Sequence, residues 1–250
     1  RAETFVDANA FLRHAENELA YYRRQDPEFE SCANIRDDVP GLMVIHGQFL
    51  IADTVAIAQR RIDATLQHEI GTHVLTYHNG GRQPLKLLQA GLAGYEELQE
   101  GMAILSEFLV GGLSASRFRQ IAGRVAAVDQ LVQGANFIEV YDSLHAHYGF
   151  ASREAYNVTM RVFRGGGFTK DALYLRGLID VLNYLEQDGE LETLFLGKIA
   201  LQHIDIASEL LWRRILKPPR LLPRYLTAEK PAARLVEIRH SKRKPIDLVM

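Results

Sequence analysis

Two histidines and several acidic residues are spaced as in a hydrolytic metal site. The segment from His68 to His73 reads H-E-I-G-T-H, and the segment from Gln99 to Ala103 reads Q-E-G-M-A. Imidazole and carboxylate groups are the usual ligands of catalytic zinc, and a further carboxylate that does not bind the metal commonly handles protons. These residues predict a Zn²⁺ site in which His68 and His73 bind the metal and Glu69 is the general base.

The spacing of the two histidines is unusual, because they lie five residues apart, whereas paired histidines on a zinc-binding helix usually lie four apart. On a regular α-helix, at about 100° per residue, position i+5 points roughly 140° away from position i. A π-turn winds less per residue and brings His73 under His68, and Gly71 between them tolerates the distortion. We therefore predict a π-bulge or an equivalent distortion between His68 and His73.

A third protein ligand is expected from the helix that follows, since a catalytic zinc ion usually has three. The acidic residues of that helix are Glu96, Glu97, Glu100 and Glu107. Glu100 is flanked by Gly101 and Ala103, whose small size permits close approach of two helices, while Glu97 lies on a similar face. The residues alone leave both Glu97 and Glu100 as candidates.

The two motifs together resemble those of the zinc-dependent tyrosine carboxypeptidases, typified by the animal microtubule-associated enzyme, and of bacterial relatives named for a Q-E-G-L-A motif. The likeness covers about Ile45 to Leu226 and includes the segment R-V-F-R-G-G-G-F-T-K-D, which begins at Arg161. Met102 stands where the relatives have leucine, a mild apolar exchange. Because these relatives carry additional N-terminal sequence, residues 1–40 are expected to be the remainder of a longer N-terminal region.

The resemblance implies a function for each residue of the two motifs. It implies zinc held by His68, His73 and Glu100, which favours Glu100 over Glu97, and it implies Glu69 as the catalytic carboxylate. It also implies a peptide or protein C-terminus as the substrate, with an aromatic residue such as tyrosine removed.

A carboxypeptidase needs a cation in a dry cleft to bind the terminal carboxylate of its substrate. Positive residues flank the glycine triplet 165–167. Arg164 and Lys170 are the predicted carboxylate binders, and Arg161 and Tyr174 are weaker candidates. Backbone amides of the triplet can also face an anion. The alternative is that these charges are solvated or interact with helix ends.

The elements that position these residues are predicted to be mainly helical. Apolar residues at helical spacing predict a first helix from Phe5 to Tyr22, followed by a loop over 27–40. Short β-branched runs on either side of Gly47 predict a hairpin. Asp53 or Thr54 is expected to cap the helix that carries the histidines. Further helices are predicted at 92–110, 114–132, 137–148, 152–163 and 171–185, the last capped by Thr169, with shorter pieces at 190–199 and 206–216.

The predicted fold class is α+β, mainly α with a small hairpin or sheet, in a zincin-like metallopeptidase domain with the metal motif on a helix. That catalytic domain is placed at 41–226, after the N-terminal helix and loop of 1–40 and before a C-terminal tail at 227–250.

Composition excludes several other classes. The chain has 250 residues, is 47% hydrophobic and has a formal net charge of -2, which suits a globular protein without a nucleic-acid surface. Its basic cluster at 240–244 is interpreted as a solvated tail. No apolar run approaches the roughly 18 residues of a membrane span. The single cysteine, Cys32, fits a reducing compartment, so a cytoplasmic location is expected.

The leading interpretation is a cytoplasmic zinc metallopeptidase that removes a C-terminal residue by attack of zinc-activated water. The main alternative is a non-catalytic zincin-like domain with a regulatory or protein-binding role. Glu69 argues against it, because a structural metal site has no use for an uncoordinated carboxylate beside a ligand. A third possibility is an endopeptidase or a hydrolase of another amide. Neither the natural substrate nor the oligomeric state follows from the sequence.

Overall fold

The computed structural model describes residues 3–165 and 170–249, which fold into a mainly helical α+β structure with two small sheets. In the first sheet, β1 (Phe5–Asp7) pairs antiparallel with β5 (Ala56–Ala58). In the second, β4 (Gln48–Ala52) lies between β3 (Leu42–Ile45), which is antiparallel to it, and β2 (Ala33–Arg36), which is parallel. The predicted hairpin is therefore confirmed as β3 and β4.

Three strands were not predicted. Strand β2 lies in the segment expected to be a loop, and β1 precedes the first helix, α1 (Ala8–Gln25). Strand β5 occupies residues where the histidine-bearing helix was expected to begin, so the prediction that Asp53 or Thr54 caps that helix is wrong. The chain stays extended to Ala58 because it pairs with β1, and the helix starts only after a 3₁₀ turn.

The histidines lie in one continuous helical segment, residues 62–81, which we call the histidine helix. It consists of α2 (Ile62–His68), a π-helical turn (Glu69–Val74) and α3 (Leu75–Gly81). On one side, Ile70 and Val74 are fully buried in a core shared with α1 and the sheets. The opposite side faces the helix that carries Glu100.

Most of the remaining chain is helical. These helices are α4 (Leu87–Ala90), α5 (Tyr95–Leu109), α6 (Ala115–Val132), α7 (Phe137–Asp142), α8 (Ser152–Arg164), α9 (Leu173–Glu186), α10 (Ile204–Trp212) and α11 (Glu229–Ser241). A second π-helical turn, Ser143–His147, follows α7, and Ser114 caps α6. Thr169, the predicted cap of α9, lies outside the described residues.

The largest core surrounds α5 and α9. Leu98, Leu105, Leu178 and Leu182 are almost completely buried there. Burying one such side chain contributes about 1.5–3 kcal/mol, so this core fixes the position of α5 firmly. Helix α11 belongs to the same core through Ile238, whereas the sequence predicts a tail at 227–250. The proposed boundaries after residues 40 and 226 stay predictions.

Within the part of the chain that the structure describes, no helix is both long enough and apolar enough to cross a membrane.

Candidate functional site

The histidine helix has the distortion that its sequence predicts. The backbone N–H of Leu75 donates to the carbonyl of Ile70, five positions earlier, and Glu69–Val74 forms a π-helical turn. At Gly71 a side-chain carbon would meet Oε1 of Gln67 at 2.5 Å, so the glycine makes room for the buried Gln67 amide. The predicted π-bulge between His68 and His73 is confirmed, and it places both rings on one side of the helix, with centroids 5.3 Å apart.

The two histidines converge on one carboxylate oxygen of α5. Oε2 of Glu100 lies 3.6 Å from Nε2 of His68 and 3.8 Å from Nε2 of His73. The three ligand atoms lie within 4.8 Å of one another, so the cluster can hold a metal ion. Glu97, the alternative ligand, points elsewhere and forms an ion pair with Arg176.

A bound cation would give a buried carboxylate oxygen of the cluster the partner that it lacks among the described residues. Oε2 of Glu100 is buried and has no hydrogen-bond partner among the described residues. Ligands about 2.1 Å from a tetrahedral metal lie about 3.4 Å from one another, close to the separations between Glu100 and the two rings. A buried carboxylate oxygen without a donor costs free energy, which a bound cation would remove. The donor set, two imidazoles and a carboxylate, suits zinc.

Neighbouring side chains fix the orientation of both rings through the Nδ1 atoms. Nδ1 of His68 lies 2.9 Å from Oε1 of Glu107, and Nδ1 of His73 lies 3.3 Å from Oε1 of Gln99. Gln99 also accepts a hydrogen bond from Thr76. When each Nδ1–H donates to its oxygen, each Nε2 keeps a free lone pair for a metal.

Glu107 is a buried carboxylate that pairs with two arginine side chains. Its carboxylate lies 2.8 Å from Nη2 of Arg61 and 3.2 Å from Nη2 of Arg117. Burial alone would raise the pKa of Glu107, but the bond to His68 and the two guanidinium groups outweigh it and lower that pKa strongly. Glu107 therefore stays ionised and accepts the hydrogen bond from His68.

In the cluster without a metal, the pKa of His68 is raised and the pKa of Glu100 is lowered. Burial opposes the charged form of His68, but Glu100 and Glu107 outweigh this effect and raise the pKa of His68 to about 10. Burial opposes the charged form of Glu100 as well, yet the two histidines lower its pKa to about 2. A proton therefore occupies the imidazole that a metal would need, and metal binding must displace it.

Glu69 follows His68 directly and begins the π-helical turn. It is half-buried, and its carboxylate has no hydrogen-bond partner within the described ranges. Its negative charge contributes to the raised pKa of the neighbouring His68. A free carboxylate in this position can accept and deliver a proton.

A cavity of about 760 Å³ lies among α6, α8 and the start of the segment leading to α9. Its charged lining residues are Arg124, Glu154, Arg161, Arg164, Lys170 and Asp171. The three residues of the cluster do not line this cavity, but Lys170 in its wall lies 3.5 Å from Glu96, one helical turn before Glu100 on α5. The cavity carries more positive than negative side chains.

The four predicted substrate-binding residues differ in their exposure and in their hydrogen-bond partners. Nε of Arg161 donates to Asp171 over 2.7 Å, whereas Lys170 is exposed and lies 3.5 Å from Glu96. Arg164 is exposed, and among the described residues its guanidinium donates a hydrogen bond only to Sδ of Met160, over 3.9 Å. The backbone amides of Gly166 and Gly167, also proposed to face an anion, lie outside the described residues.

Tyr174, the fourth candidate, is buried and lies near the cluster. Burial and the charge of Glu100 raise the pKa of Tyr174 well above its ordinary value. Its hydroxyl therefore stays protonated and can donate a hydrogen bond.

Sequence reasoning did not assign functions to three residues that the structure brings to the site, Gln99, Glu107 and Arg124. A signal existed for Glu107, because it lies seven residues, nearly two full turns, after Glu100 and therefore on the same face of α5. Arg124 follows no motif and reaches the cavity only through the packing of α6. His78, in the last turn of the histidine helix, is buried, and its Nε2 lies 2.9 Å from Oδ2 of Asp26.

The fold and the cluster define a mainly helical protein with a candidate metal centre made by two imidazoles and one carboxylate. Comparison with protein-family models matches residues 1–243 to the family described as microtubule-associated tyrosine carboxypeptidase. The chain belongs to this family, as its motifs predicted. A search of curated proteins found no match.

Proposed function

We propose that the protein is a zinc-dependent carboxypeptidase with a zincin-like fold, in which His68, His73 and Glu100 hold the metal. The family is described as a tyrosine carboxypeptidase, which supports an aromatic residue, tyrosine above all, as the residue removed. The observation that carries the proposal is the convergence of both Nε2 atoms on one buried carboxylate oxygen that has no other partner within the described residues.

Each group of the cluster has a distinct part in the proposed hydrolysis. A bound zinc ion supplies Lewis acidity, which lowers the pKa of water and polarises a carbonyl oxygen. Glu69 takes the proton of the attacking water on a carboxylate oxygen and delivers it to the nitrogen of the leaving amino acid. Glu107 and Gln99 hold the two rings, so the rings would not have to reorient when a metal replaces the proton on His68.

The positively charged cavity is the proposed binding site for the C-terminal residue. Its volume of about 760 Å³ is sufficient for an aromatic amino acid. Arg161, Arg164 and Lys170 contribute positive charge there, and the protonated hydroxyl of Tyr174 is available as a hydrogen-bond donor. The single cysteine, half-buried Cys32, is the basis for proposing that this reaction takes place in the cytoplasm.

Replacement of Glu69 by glutamine tests the proposed base. Zinc-loaded wild-type protein is expected to release tyrosine from peptides that end in it, and the E69Q variant is expected to lose about 10²- to 10⁴-fold in kcat, because glutamine cannot carry the proton. Mass spectrometry of the products gives the rate, and metal analysis of both proteins is expected to give one zinc per chain.

The matched control is E229Q, which makes the same exchange at the exposed first residue of α11. It is expected to keep both zinc and activity within about threefold. Equal activity of E69Q and wild type would disprove the proposed base. A wild-type protein that binds zinc but cleaves no peptide would favour the non-catalytic domain instead.

A second comparison separates an exopeptidase from an endopeptidase. The same peptides with an amidated C-terminus are expected to resist cleavage, since the cationic cavity then has no carboxylate to bind. Cleavage of free and amidated peptides at equal rates would indicate an endopeptidase.

A further inference from the structure

Arg124 is the most deeply placed cation of the cavity. Its side chain is 15% exposed, whereas the side chains of Arg161 and Lys170 are 45% and 54% exposed. It lines the cavity from α6, and its guanidinium lies 5.6 Å from the centre of the Tyr174 ring. Removed from most of the solvent, its charge is screened less than the charges of its exposed neighbours.

The charge of Arg124 is poorly compensated. The nearest carboxylate is Asp171, whose Oδ1 is 3.9 Å from Nη1 of Arg124 but accepts a 2.7 Å hydrogen bond from Arg161. Nε of Arg124 is buried and has no acceptor within the described ranges. Burial, followed by repulsion from Arg161 and Arg117, lowers the pKa of Arg124 to about 10. A buried guanidinium in this state gains more from an added anion than an exposed, paired one.

A purely structural role explains these contacts less well. An arginine that joins α6 to the segment before α9 should form a close ion pair with Asp171, yet its guanidinium stays 3.9 Å from Oδ1, which accepts the hydrogen bond of Arg161. The planar guanidinium has five N–H donors and binds carboxylates through two parallel hydrogen bonds. The cavity beside it is lined in part by Lys170, which lies 3.5 Å from Glu96, one helical turn before Glu100 on α5.

We propose that Arg124 binds the terminal carboxylate of the peptide substrate inside this cavity. This inference rests on the proposed carboxypeptidase function and adds a binding residue to it. Arg161 is then a positioning residue, because it holds Asp171 away from Arg124. Arg164 and Lys170 add a weaker, solvent-screened attraction.

Binding without turnover tests the assignment. The zinc-loaded E69Q protein is titrated with an acetylated tripeptide that ends in tyrosine, as the free acid and as the amide. The free acid is expected to bind at least 30-fold more tightly. In the double variant E69Q/R124Q this preference is expected to fall below threefold, while the affinity for the amide changes by less than threefold.

Two further variants test whether the loss of preference for the free acid is specific to Arg124. R153Q removes an exposed charge from α8 and is expected to leave the preference unchanged. R164Q is expected to reduce it by less than fivefold. An unchanged preference in a folded R124Q variant, or a larger loss in R164Q than in R124Q, would overturn the assignment.

Chemical modification covers the case in which replacing Arg124 unfolds the protein. Phenylglyoxal labels arginine, and peptide mapping reports the labelling of Arg124 in the E69Q chain. The free acid is expected to protect Arg124 at least fivefold while the amide gives no protection. Equal labelling with both peptides contradicts the proposal.

The outcomes also separate this inference from the proposed function. Binding that depends on Arg124 and the carboxylate, without cleavage by the zinc-loaded wild type, would reject the peptidase and leave the carboxylate site standing. Cleavage of the free acid without any dependence on Arg124 would reject the site and leave the peptidase standing.

Discussion

The ring of His68 lies between two carboxylates. Glu100 is close to Nε2, and Glu107 is hydrogen-bonded to Nδ1. Both carboxylates belong to α5, so one helix supplies a candidate metal ligand and the group that orients another. Glu107 is in turn held by Arg61 and Arg117. The orientation of the His68 ring therefore depends on a buried ion-pair network.

Replacing Glu107 by glutamine is expected to weaken the metal site. The amide oxygen can still accept a hydrogen bond from His68, but the neutral group leaves Arg61 and Arg117 without their partner and makes the imidazole a poorer donor to the metal. Zinc affinity is expected to fall about 10- to 100-fold, as is typical when the partner of a ligating histidine is changed. Competition with a coloured chelator measures it.

The matched control is E97Q, because Glu97 lies on the same helix but pairs with Arg176 at the partly exposed face. This variant is expected to bind zinc within about twofold of wild type. Equal zinc affinities of E107Q and E97Q would show that Glu107 does not support the metal site.

The sequence predicted that His68, His73 and Glu100 come together, but it did not predict the residues around them. Two histidines beside a glutamate form a local pattern that can be recognised without a structure. The contact between Arg61 and Glu107 joins residues far apart in the sequence, and the closeness of Arg124 to the cavity depends on how α6 packs. Such relationships leave no local pattern and require the tertiary structure.

At the scale of elements, α5 and α9 pack backbone against backbone. A side-chain carbon added to Gly177 would lie 2.0 Å from the carbonyl oxygen of Glu97, and one added to Gly101 would lie 2.3 Å from the backbone of Gly177. No flexible side chain is available to move aside. This close approach helps to fix α5 in the position in which Glu100 faces His68 and His73.

Replacing Gly177 by alanine is therefore expected to force α9 away from α5. Overpacking of this kind costs about 1–3 kcal/mol of unfolding free energy, more than alanine returns through its higher helix propensity. A shift of α5 also moves Glu100, so zinc affinity is expected to fall at least threefold. Urea unfolding measures the stability, and chelator competition measures the affinity.

N183A provides the comparison, because Asn183 is exposed in the same helix. It is expected to leave stability within about 0.5 kcal/mol of wild type or raise it slightly. A G177A protein as stable as N183A, with unchanged zinc affinity, would contradict the packing argument.

The elements themselves were predictable to different degrees. Long amphipathic segments such as α6 and α9 follow from apolar periodicity, and the π-helical turn follows from the spacing of the histidines on a helix. Strands β1 and β5 have three residues each and pair across more than forty intervening positions. So few residues carry no recognisable alternation, and their pairing overrode the expected helix start near Asp53.

At the scale of the whole molecule, the candidate metal centre lies between two cores. The histidine helix packs its apolar side into the core of α1 and the sheets, while Glu100 belongs to the helix around which the larger core forms. A metal bound by both parts would join them, and its binding free energy would add to the stability of the folded state.

The pKa shifts give this stabilisation a definite dependence on pH. In the metal-free protein the pKa of His68 is raised from 6.5 to about 10, so its contribution to stability is complete below pH 6.5 and is lost as the pH rises towards 10. The pKa of Glu100 is lowered from 4.5 to about 2, so its contribution is complete above pH 4.5 and is lost as the pH falls towards 2. These two groups favour maximum stability of the metal-free protein between pH 4.5 and 6.5.

Above about pH 6, zinc is expected to stabilise the protein more as the pH rises, whereas the metal-free protein becomes less stable. Because the metal must displace a proton from His68, its affinity rises with pH until that proton is gone. The melting temperature of the chelator-treated protein is expected to fall from pH 6 to pH 8.5, while the increase caused by saturating zinc grows over the same range. Differential scanning fluorimetry at matched ionic strength measures both trends, and H68N, which lacks the titrating ring, is expected to lose most of the zinc effect at every pH. A zinc-induced increase that is constant or shrinks as the pH rises would show that His68 does not exchange its proton for the metal.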